Sequence, residues 1–466
     1  MRIAVVGTGY VGLVSGASFA KLGHSVVCID TNRSKIDQLK RGRIPIYEPG
    51  LQELVQQGAV ARRLTFTSDV KSGLRQAQVV FICVGTPLGQ HGGLADLSFV
   101  YDAAAMIAAH LRSFAVIATK STVPVGTGEE IEAIIRKAVP NDNFAVVSNP
   151  EFLREGSAIE DFLRPNRIVI GTDHEEAGAV MRRLYAPLCA DGAPLVLTSR
   201  RTAEMIKYAA NAFLATKIAF VGELADLCER SGADIEEVAH GIGLDNRIGA
   251  NFLRTGPGYG GSCFPKDTLS LLATAQQHNT RMRILETVVA VNQARKHAMV
   301  DKIVEACGGA VEGKTIAVLG LTFKADTDDM REAASLTILP ALESLGAQIR
   351  SYDPAGMEQA SKLLPSVRMA TGVYDCAEAA DVLLILTEWA QFKNLDFELL
   401  KQVLRGKTIV DLRNLYQPAS IASYGFTYVS LGRAAAGAIL PAIPQRPRGK
   451  RRRRNDGITI IATPPS

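Results

Sequence analysis

The chain lacks the residue patterns that bind metals or build cross-linked scaffolds. Its seven cysteines, Cys28, Cys83, Cys189, Cys228, Cys263, Cys307 and Cys376, form no CxxC pair, and its seven histidines form no HExxH motif. Zinc-ribbon and metalloprotease chemistry therefore lack their usual spacing, and no metal site is expected. An odd, scattered set of cysteines argues for free thiols in a reducing cytoplasm rather than for a disulfide framework. No apolar run reaches the ~18 residues that span a bilayer. MRIAVVGTGYVG opens directly on a strand pattern, so a cleavable leader is not expected there. Excess charge is missing from the body: of the net +5, the segment from Ala434 onward holds +6, which leaves the rest at −1. A balanced body has no electrostatic reason to take a nucleic-acid or membrane partner.

What is present is alternation. A length of 466 residues suggests roughly three domains. Over residues 1–200, RIAVVG, SVVCID, VVFICVGTP, FAVIATKSTVP, FAVVSNPEF, RIVIGT and PLVLTS alternate with helical patterns, which implies parallel strands with crossover helices. Over 201–306 the pattern turns helical. TAEMIKYAANAFLATKIAFVGELADLCERSG keeps a 3.6-residue apolar period with no Gly-Pro break, and reads as one long helix. Alternation resumes over 307–433 with KTIAVLGLTF, AQIRSYDP, DVLLILTEW, KTIVDLRNL and FTYVSLG. The fold class is α/β: two doubly wound parallel-sheet units joined by a central helical region. Residues 434–466, rich in Ala, Pro and Arg without periodicity, read as a disordered basic tail that could bind an anionic partner.

GTGYVG, comprising Gly7, Thr8, Gly9, Tyr10, Val11 and Gly12, follows the first strand and opens a helix. Its glycines permit a tight turn and close backbone approach to a pyrophosphate, and the helix N-terminus favours the negative charge. Asp30 ends the second strand where a carboxylate accepts from ribose hydroxyls, which favours NAD over NADP. Arg33 and Lys35 lie beside it, as solvated charges or as cofactor-phosphate contacts. GGAVEGKT, Gly308 to Thr315, fits the phosphate-loop pattern by letter. The helix precedes it and the strand follows it, the reverse of a true phosphate loop, so the match reads as coincidence.

Further candidates sit at strand ends, where open α/β sheets bind ligands. STVPVGTG offers Thr122; NPEFLREG offers Glu151 and Glu155, with N-caps or solvated helix starts as the plain alternatives. On the long helix Lys207 and Asn211 share one face, and Glu204 of the same stripe is expected at the surface. GYGGSCFPKD sets Cys263 among three glycines, with Lys266 and Asp267 after it. This is either a reactive thiol in an accessible turn or a glycine turn with an incidental cysteine. GLTFKADTDDMREAAS places Lys324 and Arg331 at a strand-to-helix connection, suited to a diphosphate or to surface pairing with Asp326, Asp328 or Asp329.

Taken in order, GTGYVG, VGTP, STVPVGT, NPEFLREG, KYAANAFLATKIAF, GYGGSCFPKD, FKADTDDMRE and TEWAQF closely resemble the UDP-glucose/GDP-mannose dehydrogenase family, from Met1 to about Arg433. NPEFLREG with GGSCFPKDT resembles the UDP-glucose branch; enzymes of GDP-mannose and UDP-N-acetylmannosamine are the nearby alternatives. The resemblance implies an N-terminal Rossmann NAD domain, a central dimerisation region carrying the cysteine loop, and a C-terminal Rossmann-like UDP-sugar domain in a homodimer or larger homo-oligomer. It implies oxidation of a nucleotide-sugar alcohol to the acid in two hydride transfers, with Cys263 as the nucleophile that holds the aldehyde.

By position, Lys207 and Asn211 resemble the oxyanion stabilisers, Asp267 the group that positions water or shuttles a proton, Glu151 the hydrolytic base and Thr122 the holder of an ordered water. Thr86 of VGTP, Lys35, Glu155, Lys266 and Arg331 resemble cofactor contacts, together with Thr122 and the GTGYVG residues. Phe152, Leu153, Phe252, Tyr259, Gly260 and Lys324 resemble UDP-sugar contacts, as do Glu151, Lys207 and Asn211; Arg247 resembles one made across the dimer. One departure is Gly222, at a helix position that is usually Asn in relatives, and a glycine there costs about 1 kcal/mol of helix stability relative to alanine.

Overall fold

The computed structural model describes residues 1–89, 93–139 and 143–437. Among the described residues, fourteen strands form two sheets. The first contains β1 (Arg2–Val6), β2 (Ser25–Ile29), β3 (Leu64–Thr67), β4 (Val79–Ile82), β5 (Ala115–Thr119), β6 (Phe144–Ser148), β7 (Ile168–Gly171) and β8 (Leu195–Thr198), in the order β3-β2-β1-β4-β5-β6-β7-β8. The second contains β9 (Thr315–Leu319), β10 (Gln348–Tyr352), β11 (Arg368–Met369), β12 (Val382–Ile385), β13 (Thr408–Asp411) and β14 (Thr427–Ser430), in the order β11-β10-β9-β12-β13-β14. Both orders reverse beside their first strand, β1 against β4 and β9 against β12, which creates the crevice where such sheets bind ligands. Strands β4, β5, β6 and β12 are buried throughout, as expected of strands covered by helices on both faces.

The expected all-parallel ladder breaks at one place. β7 meets β6 through a single antiparallel pair, Ser148 with Gly171, and β8 then follows β7 in parallel. Immediately after β6, the Asn149 side-chain amide donates to the Val169 carbonyl at 2.8 Å. Side-chain bonding at the strand tips thus replaces a crossover ladder. Two strands escaped the sequence reading: β3, LTFT, and the two-residue β11, both too short to show a period.

The long helix runs Arg200–Ser231, with the Ser199 side chain accepting from Thr202 at its start and Gly232 in the left-handed region at its end. Ala203, Ala212, Ala215 and Ala219 are buried along it. Small side chains there let the helices Phe264–Gln277 and Arg283–Ala306 pack close. The helix Arg283–Ala306 ends before GGAVEGKT and β9 begins at Thr315, so the reversed order holds. Beyond Arg433, Ala436 forms an antiparallel bridge to Tyr428; the remainder of the basic tail, from 438 on, lies outside the described residues. No helix among the described residues is long and apolar enough to cross a membrane.

Glu204 corrects an expectation. It is buried, not at the surface, and accepts from the Gly126 amide at 2.7 Å, the Gly128 amide at 2.9 Å and the Ser148 hydroxyl at 3.0 Å. The carboxylate satisfies amides at the start of the helix Thr127–Ala138, where backbone N–H groups have no intrahelical partner. Glu204→Ala is expected to lower unfolding free energy by about 1–3 kcal/mol in urea denaturation. Glu129→Ala, at an exposed position of the same helix start, should change it by about 0.5 kcal/mol or less.

Candidate active site

The glycine fingerprint forms a cradle. Gly7 sits at φ +98°, and a Cβ there would lie 2.5 Å from the Cys83 carbonyl oxygen; at Gly12 it would lie 2.0 Å from that of Gly7. Gly9, the N-cap of the helix Tyr10–Lys21, instead faces open space within 4 Å, and no side chain caps the helix start. Open space before uncapped amides fits a pyrophosphate. Asp30 is held at the end of β2: its carboxylate accepts from the Thr8 amide and hydroxyl at 2.9 and 2.7 Å and from the Asn32 amide at 3.0 Å, with the Lys35 ammonium at 3.6 Å. Burial works to raise its pKa, but these donors more than offset it and keep the carboxyl below its usual range. The Tyr10 hydroxyl turns away, bonding to Glu48 and accepting from the Gly156 amide, so it braces NPEFLREG. At the other wall of the crevice, the Thr86 hydroxyl donates to the Thr122 carbonyl at 3.0 Å and joins VGTP to STVPVGT.

Four of the named polar groups form two buried or nearly buried pairs. Lys207, 3% exposed, donates to Glu151 at 3.1 Å, and Glu151 also accepts from the Leu153 amide. Burial draws the Lys207 ammonium down, while Glu151, Cys263 and Asp267 more than offset it and hold it above its usual value. Asp267, almost fully buried, accepts from Asn211 and from Lys266, each at 2.6 Å. The ammonium of Lys207 also lies 5.4 Å from the Phe152 ring centroid, and Arg167 stacks on that ring at 3.5 Å.

Cys263 is the N-cap of the helix Phe264–Gln277, half-buried, with the Ser262 hydroxyl 3.6 Å from its sulfur. Burial pushes the thiol up to about 11, and Lys207 is the cation pulling it back. The preceding loop is clamped to the C-terminal unit. Gly261, at φ +81°, donates to the Arg331 carbonyl at 2.8 Å and lies against the Phe323 ring; a Cβ at Gly260 would meet the Glu332 carbonyl. Asn292 bonds the Tyr259 amide and carbonyl at 2.8 and 3.1 Å. The rings of Phe252 and Tyr259 both approach Phe264, with centroids 6.1 and 6.0 Å away.

Glu155 stands where the three regions meet. It accepts from Ser262 at 3.2 Å and Thr327 at 3.0 Å, with Arg331 at 3.5 Å, and its carbonyl receives Lys324. Burial and Asp329 push its carboxyl up to about 7, against Arg331, Thr327 and Lys324. Arg331 is also paired with Asp329 at 2.8 Å, one of the surface partners weighed from sequence. Arg247 stands apart: exposed, and paired with Asp245 at 2.6 Å. Gly222 leaves room for the buried Arg295, which bonds its carbonyl at 2.8 Å and reaches on to the Gly256 carbonyl at 2.6 Å. Among the buried polar groups that the sequence did not mark are Glu48 and Lys120. Glu48 takes the Gly156 and Ala158 amides. Lys120, at the end of β5, had only its place after the apolar run AVIAT to mark it.

The dinucleotide cradle defines an oxidoreductase, and the thiol, the buried lysine and the two carboxylates are the kinds of group that covalent chemistry uses. Three family models match the chain in order. The NAD binding domain of the UDP-glucose/GDP-mannose dehydrogenase family covers residues 1–189, its central domain 201–294 and its UDP binding domain 317–418. The chain belongs to that family, and its cofactor is NAD. UDP-glucose 6-dehydrogenase of Rhizobium meliloti is 55% identical over 435 residues, spanning 93% of this chain and 100% of its own. The enzyme of the same name from Pseudomonas aeruginosa is 45% identical over 447 residues, spanning 94% and 98%. A solved UDP-glucose dehydrogenase from Pyrobaculum islandicum superposes with a TM-score of 0.85 at 37% identity, covering 93% of this chain and 98% of that one.

A thiol held up to about 11 is protonated at neutral pH, and its thiolate fraction grows tenfold per pH unit below that value. Alkylation of the Cys263 peptide by iodoacetamide, followed by mass spectrometry, is expected to accelerate in that way from pH 7 to 10. Lys207→Met should slow it at every pH; a rate indifferent to both changes would contradict the electrostatics of the pocket.

Proposed function

We propose that the chain is an NAD-dependent UDP-glucose 6-dehydrogenase that converts UDP-glucose to UDP-glucuronate. The observation that carries this reading is the pairing of Cys263 with the Lys207–Glu151 and Asn211–Asp267 pairs, in a chain whose relatives bear that enzyme name. Residues 1–200 serve as the NAD domain, 201–306 as the central domain and 307–433 as the UDP-sugar domain.

NAD supplies the hydride acceptor for both oxidation steps. In the first step the C6 hydroxyl loses its proton as hydride leaves C6, and Lys207 with Asn211 stabilises the charge that develops on oxygen. Asp267, held between Asn211 and Lys266, positions the water or proton of that step. The Cys263 thiolate then bonds to the aldehyde carbon, and loss of the second hydride leaves a thioester. Water, placed beside Thr122, adds to that carbon while Glu151 takes its proton; the carbon–sulfur bond breaks and the thiolate returns. Phe152, Leu153, Phe252, Tyr259, Gly260 and Lys324 line the sugar side, while Gly7, Gly9, Val11, Gly12, Asp30, Lys35, Thr86, Glu155, Lys266 and Arg331 serve the cofactor side.

The working form is a homodimer or larger assembly. Phe213, Phe220 and Leu227 on the long helix are 66, 54 and 59% exposed, and spacings of seven place them on one unpartnered stripe. Arg247 then reaches the partner's substrate. A nucleophile that must remain a thiol fits the cytoplasm, and the basic tail is an appendage for an anionic partner.

NADH formed per UDP-glucose consumed tests the reading. Two per sugar are expected, with Cys263→Ser stopping after the aldehyde. Two from GDP-mannose or UDP-N-acetylmannosamine but none from UDP-glucose would move the substrate, and an unimpaired Cys263→Ser would remove the covalent route. Phe220→Glu is expected to shift sedimentation toward the monomer.

A further inference from the structure

A cavity of about 50 Å³ lies beside Glu151, lined also by Lys120, Asn149, Arg167, Tyr185 and, at its outer lip, the exposed Asn166. Neither Cys263, Lys207 nor Asp267 lines it, so among these reacting groups it meets only Glu151. A water needs roughly 10–15 Å³ on this measure and two to four polar partners. The cavity therefore has room for a few waters, and its walls supply their partners.

Lys120 is the unexplained group in this wall. It is 4% exposed, yet its ammonium donates only to neutral groups, Asn149 Oδ1 and the Tyr185 hydroxyl, both at 3.3 Å. The Tyr185 hydroxyl itself donates to Asn149 at 2.6 Å. The rings of Phe81, Phe162 and Tyr185 surround the nitrogen at 5.7 to 5.9 Å. A buried ammonium without a bonded carboxylate is costly to hold as a charge. It is correspondingly ready to give up its proton.

We propose that this cavity is the proton exit of the active site, in which Lys120 receives through water the protons collected by Glu151 and releases them to solvent at the Asn166 lip. The proposal rests on the four-electron oxidation set out above. That reaction turns one CH2OH and one water into a carboxylate, gives up two hydrides and releases three protons. In the hydrolytic step the water O–H bond breaks as its oxygen bonds to the thioester carbon, and Glu151 gains the proton. Water in the cavity carries it to the neutral Lys120 amine, and its loss at the lip restores both groups. Lys120 touches neither substrate nor cofactor in this scheme and acts through Glu151. Burial, working against Cys83 and Glu151 and with Lys207, lowers its ammonium to about 8, where gain and loss of a proton near neutral pH are both facile. The groups that face it are Cys83 after β4, Glu151 after β6, Lys207 on the long helix and Tyr185 on the helix Glu175–Ala190.

The test is rapid mixing of Lys120→Met and Lys120→Arg with NAD and UDP-glucose. Neither variant side chain can take up a proton in this pH range. Both are expected to form NADH in the first turnover as the natural chain does, then to slow at least about tenfold in steady state. The rise of kcat with pH near 8 should disappear in both, and added imidazole should restore turnover in Lys120→Met. Unchanged steady-state rates and pH profiles, or loss of the first turnover as well, would overturn the exit. Should neither variant fold, Tyr185→Phe removes a polar partner of the ammonium and should move the limb to lower pH; an unmoved limb would overturn it equally. No NADH from the natural chain would remove the functional reading and the exit together, whereas NADH with unaltered variants removes the exit alone.

Discussion

The ion pair between Lys207 and Glu151 is the constraint on which the site depends. Each side chain is almost fully buried, and either one alone would be an uncompensated charge whose exposure by mutation typically costs about 3–5 kcal/mol. The pair therefore fixes the long helix against the end of β6, because neither element can move without stranding a charge. Asn211, one helical turn on, is fixed by the same placement, and Asp267 comes to it from the helix that Cys263 begins. A single desolvated contact thus sets where the thiol stands relative to two carboxylates.

The third wall comes from the C-terminal unit, and it is held by backbone as much as by charge. Gly261 bonds to the Arg331 carbonyl, Lys324 to the Glu155 carbonyl, and Gly156 is so close to the Asp326 carbonyl that a Cβ would lie 2.5 Å from it. The cysteine loop and the loop after β6 are both pressed against the same connection, 323–332. The space there is enclosed by three regions of chain, an enclosure that suits the proposed chemistry, which must keep an aldehyde from escaping.

Much of this was legible in the sequence because it is local. GTGYVG after a strand, Asp30 after the next, and the long apolar period around Lys207 and Asn211 each carry their own physics in consecutive residues. Glu204 was misread despite sharing the stripe of Lys207, since its partners are amides of Gly126 and Gly128 at the start of a helix distant in sequence. Lys120 was passed over for the same reason. Its surroundings are assembled from Phe81, Asn149, Phe162 and Tyr185, four positions on separate elements, and no window of sequence contains them. The antiparallel junction of β6 and β7 was hidden too, because one side-chain bond from Asn149 leaves no mark on hydrophobic periodicity.

Gly222 carries a consequence for how this molecule can vary. A Cβ at that position would sit 3.1 Å from Arg295 Nε, and the guanidinium it would crowd is the one that holds the Gly256 carbonyl, at the root of the cysteine loop. The glycine weakens its own helix so that an arginine from the helix Arg283–Ala306 can thread past it to the cysteine loop. An asparagine at 222 would press on the arginine, and removal of the arginine would leave a gap beside the glycine and the Gly256 carbonyl without this donor. The two positions, 73 apart in the chain, meet in one contact, so a side chain larger than glycine at 222 has to displace the guanidinium by a few tenths of an ångström.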